Sequence, residues 1–153
     1  MDYDRIEAVR YAREWALKRN PALYNFDNNG GDCTNFVSQA LRAGGLKQNY
    51  TKDVGWFYIS QNNRAAAWTG VEHLYKYLIN FGIGKIVPIY SAAIGDIIQL
   101  SFDGITFGHS LIITETGDVP SVNNIKICTH TEDALDRHLR TYIYAALRVI
   151  HII

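Results

Sequence analysis

A cysteine at the mouth of a helix is the first residue able to do chemistry. The stretch Gly30-Gly31-Asp32-Cys33-Thr34-Asn35-Phe36-Val37-Ser38-Gln39-Ala40-Leu41 delivers the chain through two glycines and an aspartate to Cys33. Phe36, Val37, Ala40 and Leu41 then recur at helical spacing, with Ser38 and Gln39 on the other side. Gly44-Gly45 stops the helix, glycine tolerating the left-handed turn after a last helical residue. Cys33 therefore sits at or just before a helix N-terminus, where unpaired N–H groups and the helix dipole favour an anion. Such a site lowers a cysteine pKa below its free value of about 8.5. The same amides suit the oxyanion formed when a thiolate attacks a carbonyl. A small buried cysteine in an amphipathic helix is the alternative. Its position at the tip, outside the Phe36/Val37 stripe, favours a nucleophile.

A cysteine nucleophile needs a base, usually histidine, held by a third group. Of the five histidines, His73 falls on a helix surface, and His138 and His151 lie in a polar loop and near the C-terminus. His109 opens a buried strand after Phe107-Gly108, and His130 closes the next. The midpoint of the two falls within the turn-like Gly117-Asp118-Val119-Pro120-Ser121. A symmetric hairpin places both at one edge of the sheet, which predicts His109 as base and His130 as its orienting group. Against this stand a strand-end His130 bonded to its own loop, and Asp133 or Asp136 as competing orienters. Both aspartates also fit a solvated turn, with Asp136 paired to Arg137 or Arg140. A zinc site from Cys33, His109 and His130 lacks any close-spaced ligand pair such as Cys-x-x-Cys, so no metal is expected.

The elements that must position these residues read in order. Asp4 with Glu7 resembles a capping box, and Ile6, Val9, Ala12 and Ala16 mark one helix face to about Lys18, with Trp15 beside it. Asn20-Pro21 ends that helix, and a turn-rich loop over 24–31 leads to Cys33. Residues 46–67 have no clean period and hold Trp56, Phe57 and Tyr58. Trp56, Phe57 and Trp68 are candidates to contact a glycan or peptide, with core packing favoured for Trp68. Thr69 and Glu72 form a second capping box, before a stripe of Val71, Leu74, Tyr75 and Leu78 that stops ahead of Gly82. Strand patterns follow at 97–100, 109–114, 125–129 and 142–153, with Asp103-Gly104 as a hairpin-like turn. Helices first and strands later predict an α+β fold with an antiparallel sheet.

At 153 residues the chain makes one ordinary domain, and 48% apolar with 20% charged residues is globular. Fifteen basic and fifteen acidic residues cancel, leaving no footprint for nucleic acid or an anionic membrane. No apolar run approaches the roughly 18 residues of a membrane span. The opening Met1-Asp2-Tyr3-Asp4-Arg5 lacks the basic-then-apolar order of a signal peptide, so the chain acts where it is made or has lost a leader or neighbouring domain. Two cysteines make no disulfide framework, and Cys128, in an apolar run, reads as an inert core thiol.

Ala8-Val9-Arg10-Tyr11-Ala12, Trp15-Ala16, Arg19-Asn20-Pro21 and Tyr24-Asn25-Phe26 lead into Gly31-Asp32-Cys33-Thr34-Asn35-Phe36-Val37-Ser38-Gln39. Trp68-Thr69-Gly70-Val71, Gly95-Asp96, Ile98-Gln99-Leu100, His109-Ser110-Leu111-Ile112-Ile113-Thr114 and Asp136-Arg137 follow. In combination, over nearly the whole chain, these resemble the bacterial putative amidase domain, a relative of the NlpC-type and CHAP cysteine hydrolases with a papain-like core. The resemblance implies a Cys33/His109 dyad, with the cysteine on a helix packed against an antiparallel sheet. It matches Asp32 to an aspartate preceding the cysteine, His130 to a polar residue on the strand after the histidine, and Tyr24, loosely, to a tyrosine near the oxyanion site. Thr34-Asn35 stands where those relatives have Ser-Gly, which marks a side branch. Relatives mostly cut amide bonds in the peptide part of peptidoglycan, and many are secreted. The reading is a cysteine amidohydrolase needing no metal or organic cofactor, with His109 holding the Cys33 thiolate as an ion pair before protonating the leaving amine. The rivals are a degenerate wall- or peptide-binding module of the same fold and an enzyme transferring the acyl group to an amine.

Overall fold

The first helix, α1 (Arg5–Trp15), starts as its sequence dictates, with the Asp4 carboxylate accepting the Glu7 N–H at 3.0 Å. Its buried residues are Ala8, Val9 and Ala12, while Ile6 is 60% exposed, so the packed face lies to one side of the stripe read from spacing. The second helix, α2 (Cys33–Ala43), turns almost none of its polar side to solvent: every residue from Cys33 to Leu41 is buried. Its polar side chains are spent inside. Ser38 Oγ donates to the Trp68 carbonyl at 2.9 Å and accepts the Trp56 indole N–H at 3.0 Å, and Gln39 Oε1 accepts the Tyr11 hydroxyl at 2.5 Å. Gly45 adopts φ +97° and closes the helix, with its N–H on Arg42 O and Leu46 N–H on Leu41 O.

The structure, a computed structural model, describes residues 2–153. The stretch 46–67 contains a small hairpin of β1 (Tyr58–Ser60) and β2 (Asn63–Arg64). Trp56 is fully buried and lies 4.7 Å from Trp68 and 6.0 Å from Tyr77, centroid to centroid, which makes both tryptophans core rather than ligand surface. Phe57 packs on Tyr50, 5.3 Å between centroids. A single-turn helix α3 (Ala66–Thr69) consumes Thr69, so α4 (Val71–Asn80) has Gly70 at its cap and no side-chain cap bond. The Thr69 hydroxyl accepts from Arg64 Nε at 3.1 Å instead. The buried face of α4 is Leu74, Tyr77 and Leu78.

The strands are β3 (Gly84–Val87), β4 (Ile97–Ser101), β5 (Phe107–Glu115), β6 (Lys126–Thr129), β7 (Ala134–His138) and β8 (Ala146–Ile152). They form one sheet in the order β3-β8-β4-β5-β6-β7, every neighbouring pair antiparallel. The chain is α+β, as the element order implied. Strand β7 covers Asp136-Arg137, which the sequence presents as a turn, because an edge strand with polar side chains carries no apolar alternation to reveal it. One face of the sheet, through Ile97, Ile112, Cys128 and Ile150, packs against Ala12, Phe36, Val37 and Leu74 of the helices. The opposite face, through Ile98, Leu111, Ile113, Ile127 and Val149, is closed by Ala92 and Leu139. Cys128 is fully buried and its thiol is pushed up to about 11 by desolvation. Among the described residues no helix is long and apolar enough to cross a membrane.

Buried Asp96 joins the first helix to the sheet. Its Oδ1 accepts Arg5 Nη1 at 2.7 Å and the Ile152 N–H at 3.0 Å, and its Oδ2 accepts the Ala93 N–H and His151 Nδ1, each at 2.8 Å. Removing one member of such a buried set leaves the others uncompensated. Asp96→Ala is expected to lower the unfolding free energy by roughly 3 kcal/mol, read as a lower urea midpoint at unchanged slope. An unchanged midpoint would mean the network is dispensable.

Candidate active site

Cys33 is the first residue of α2 and is 8% exposed. Its sulfur lies 3.8 Å from Thr34 Oγ1. Thr34 Oγ1 and Ser110 Oγ are 2.9 Å apart, and Gln99 Nε2 donates to the same Ser110 hydroxyl at 3.3 Å. The first turn of α2 is thus fastened to β5 at the residue after His109. Desolvation pushes the Cys33 thiol up, the Ser110 and Thr34 amides oppose this, and the Asp32 charge adds to it. The net direction is upward, opposite to what a helix N-terminus alone predicts. The thiol rests protonated.

His109 pairs with Leu100 across β4–β5 and shares the face of Leu111 and Ile113, the side of the sheet away from α2. Its ring lies 6.4 Å from Phe102 and 6.2 Å from Tyr142. Nε2 lies 3.4 Å from Thr129 Oγ1, whose own hydrogen goes to the carbonyl of Ser110 at 2.8 Å or of His130 at 3.0 Å. The hydroxyl therefore accepts from Nε2–H, and Nδ1 carries the lone pair. Desolvation, helped by the Arg137 charge, lowers the His109 pKa to about 4. Among the described residues no hydrogen bond joins the Cys33 sulfur to His109.

His130 does not orient His109. The β5–β6 register pairs Ile112 with Cys128 and Ile113 with Ile127, one residue off the symmetric hairpin. A one-residue slip exchanges faces, so His130 falls on the helix side with Cys128 while His109 faces the other way. The His130 ring stacks on Phe36 at 4.1 Å, its Nδ1 lies 2.5 Å from Asp32 Oδ2, and its Nε2 lies 2.7 Å from the Trp15 carbonyl. Both nitrogens face oxygen acceptors, which leaves neither for His109 or for a metal. Thr129 takes the place beside His109. The register shift is the only signal that could have found it, and it is not written in the alternation of residues.

Asp32 has both carboxylate oxygens occupied by partners from the protein. Its Oδ1 accepts the Phe26 N–H at 2.7 Å and Asn35 Nδ2 at 2.8 Å, while its Oδ2 is shared between His130 and Arg19 Nε, the latter at 3.5 Å. Arg19 also grips Asp27 and Asp133, which raises its own affinity for its proton. Tyr24 is held by its backbone to the same turn: its carbonyl accepts Asn35 Nδ2 at 3.1 Å and its N–H donates to the Tyr58 hydroxyl at 2.8 Å. Asp136 sits toward the far end of β5, taking Thr114 Oγ1 at 2.6 Å and Arg13 Nε at 3.1 Å. It neither orients His109 nor pairs with Arg137 or Arg140. Of the other histidines, His73 is exposed and His151 serves the Asp96 network.

A cleft of about 470 Å³ opens beside His109, lined among others by Phe102, Glu132, Arg137, Tyr142 and Ile143. The residues able to do chemistry are a thiol at a helix N-terminus, raised by burial, and an imidazole lowered by burial that lines the cleft on the other face of the sheet. Because His130 is structural, His130→Ala is expected to lower stability by roughly 3 kcal/mol, the cost of stranding a buried partner. Thermal and urea unfolding with intact Cys33 alkylation kinetics in the folded remainder would check it. A fully stable variant would show that the pair with Asp32 carries no weight.

A family model described as Putative amidase domain matches residues 2–153. The Bacillus subtilis (strain 168) protein named Uncharacterized protein YhbB is 38% identical over 130 residues, covering 79% of this chain. The chain spans 40% of that relative's length. No solved structure matches. On the extent of that family match and the identity of that relative, the chain belongs to the putative amidase domain family.

Proposed function

We propose that the protein is a cysteine amidohydrolase of papain-like architecture, related to the NlpC-type and CHAP hydrolases, in which Cys33 is the nucleophile and His109 the base. The observation that carries this reading is the Thr34–Ser110 clasp, which draws the residue after the cysteine onto the residue after the histidine. The single Thr129 hydroxyl at Nε2 supports it, since it leaves the Nδ1 lone pair available for a proton. Substrate binding closes the thiol–imidazole contact, catalytic hydrogen bonds being often long before the Michaelis complex forms.

In that reaction Nδ1 of His109 takes the Cys33 proton as sulfur bonds to the amide carbonyl carbon. The oxyanion is held by amides of the first turn of α2, with the Tyr24 hydroxyl as a further donor. The imidazolium then protonates the departing nitrogen as the C–N bond breaks, leaving a thioester on Cys33. Water, giving its proton to His109, cleaves the thioester and restores the thiol. No metal or organic cofactor takes part. The directions of both pKa shifts favour this general-base route over a standing ion pair. The substrate class is the peptide part of bacterial peptidoglycan, by family resemblance.

One observation favours a second reading. A thiol 8% exposed, pushed up and without an imidazole partner, suits a wall- or peptide-binding module that has lost catalysis. Digestion of purified peptidoglycan and soluble muropeptides, followed by mass spectrometry for new amine and carboxyl ends, decides between them. Hydrolysis is expected and should fall to background in Cys33→Ala with binding to the wall retained. Binding without turnover in the unmodified protein would leave the module.

The pH dependence separates the two resting states. His109 must be unprotonated to act as base, so kcat/KM is expected to rise with pH along an acid limb centred at about 4. Alkylation of the free protein by iodoacetamide, with Cys128 replaced by Ser, is expected to keep rising beyond the ordinary thiol value near 9. A rate plateau already established near neutrality would restore the preformed ion pair.

A further inference from the structure

Arg137 is the cation of the His109 cleft, and it has been immobilised without being neutralised. Its Nε donates to Thr141 Oγ1 at 2.7 Å and its Nη2 to the Thr141 carbonyl at 3.2 Å. Its guanidinium carbon stands 3.7 Å from the centroid of the Tyr142 ring. Among the described residues no carboxylate pairs with it, although its neighbour Asp136 is taken by Arg13 and Thr114. Thr141 occupies the Nε/Nη2 edge, so the Nη1/Nη2 edge keeps two parallel N–H donors. Two parallel donors match the two oxygens of one carboxylate.

The rest of the cleft fits an organic anion. Phe102, 57% exposed, and Ile143, 92% exposed, supply apolar surface beside the guanidinium. The titratable groups lining the cleft are His109, Arg137, Tyr142 and Glu132. Glu132 is exposed, on a β6–β7 turn whose Thr131 and Glu132 hold φ +64° and +56°, so water screens its repulsion of an anion. The Tyr142 hydroxyl is buried with no partner, a further donor for a ligand.

Resting on the hydrolase reading, we infer that the substrate carries a carboxylate close to the scissile amide, bound edge-on by Arg137, with an aliphatic segment against Phe102 and Ile143. Specificity for an acidic acyl or amine part follows. A consequence for rate follows too. Arg137 depresses the basicity of His109, and a carboxylate seated on Arg137 offsets that charge. Acidic substrates therefore strengthen the base that takes the Cys33 proton, so the preference appears in kcat as well as in KM.

The test uses the full chain with Cys33→Ser, so that nothing turns over, and follows His109 and Tyr142 by NMR. Glutarate is the probe, with its neutral diamide glutaramide and inorganic phosphate as controls at equal ionic strength. Glutarate is expected to shift both signals saturably and to move His109 protonation upward from about 4. Glutaramide and phosphate are expected to do neither. Arg137→Gln should weaken glutarate about tenfold or more, with Arg137→Lys between the two, because the planar fork is lost while the charge stays. Absence of a saturable response overturns the inference, as does an equal response to phosphate or undiminished binding in a folded Arg137→Gln. Should that variant fail to fold, the glutarate, glutaramide and phosphate titrations of the parent protein still decide. Because binding is read without turnover, a saturable glutarate site survives even if Cys33 proves dispensable, which keeps failure of the hydrolase reading separate from failure of this one.

Discussion

The pair between Asp32 and His130 is the constraint on which the arrangement around Cys33 depends. Asp32 precedes α2 at the N-cap position without a side-chain cap bond, His130 follows the last residue of β6, and the second ring nitrogen of His130 reaches the last carbonyl of α1. One carboxylate and one imidazole thereby join the N-terminus of one helix, the C-terminus of another and a strand end. The signs suit the helix ends: a carboxylate at the positive end of α2 and N–H donors at the negative end of α1. Phe26 N–H, Asn35 Nδ2 and Arg19 complete the shell around Asp32, so the loop before Cys33 is pinned along with the helix. Burial makes each of these bonds costly to break and gives the turn a single geometry.

That rigidity carries an electrostatic consequence. The carboxylate that fixes the position of Cys33 also repels a thiolate there, and burial works in the same direction. On the other face of the sheet, burial and Arg137 hold the His109 imidazole neutral. The site is therefore positioned but not ionised at rest. The residues flanking the pair, Thr34 and Ser110, bear the packing load while Cys33 and His109 themselves form no hydrogen bond to each other.

The enclosure of α2 explains why its polar residues are where they are. Ser38 bridges Trp56 and Trp68, and Gln39 takes Tyr11, so each buried polar group has a partner. Trp56 and Trp68 form the wall behind the helix. Aromatic side chains that line a cleft, Phe102 and Tyr142, lie on the opposite side of the sheet.

The local devices are legible in the chain: the Asp4 cap, the glycine stop after α2, the helix led by Cys33, the β5–β6 hairpin and the buried Cys128. Each of these is written in neighbouring residues, through capping, left-handed φ or an apolar period. Cys33 and His109 stand out in the sequence by residue type and position. Which partners they meet is set by contacts across the fold. The β5–β6 register differs from the symmetric one by a single residue, which sends His130 to Asp32 and leaves Thr129 with His109. Strand β7 and the capture of Asp136 by Arg13 depend on edges meeting across the fold. The direction of the Cys33 shift depends on how deeply the helix is buried. Register, burial and long-range charge are sums over contacts far apart in the chain, and no window of neighbouring residues contains them.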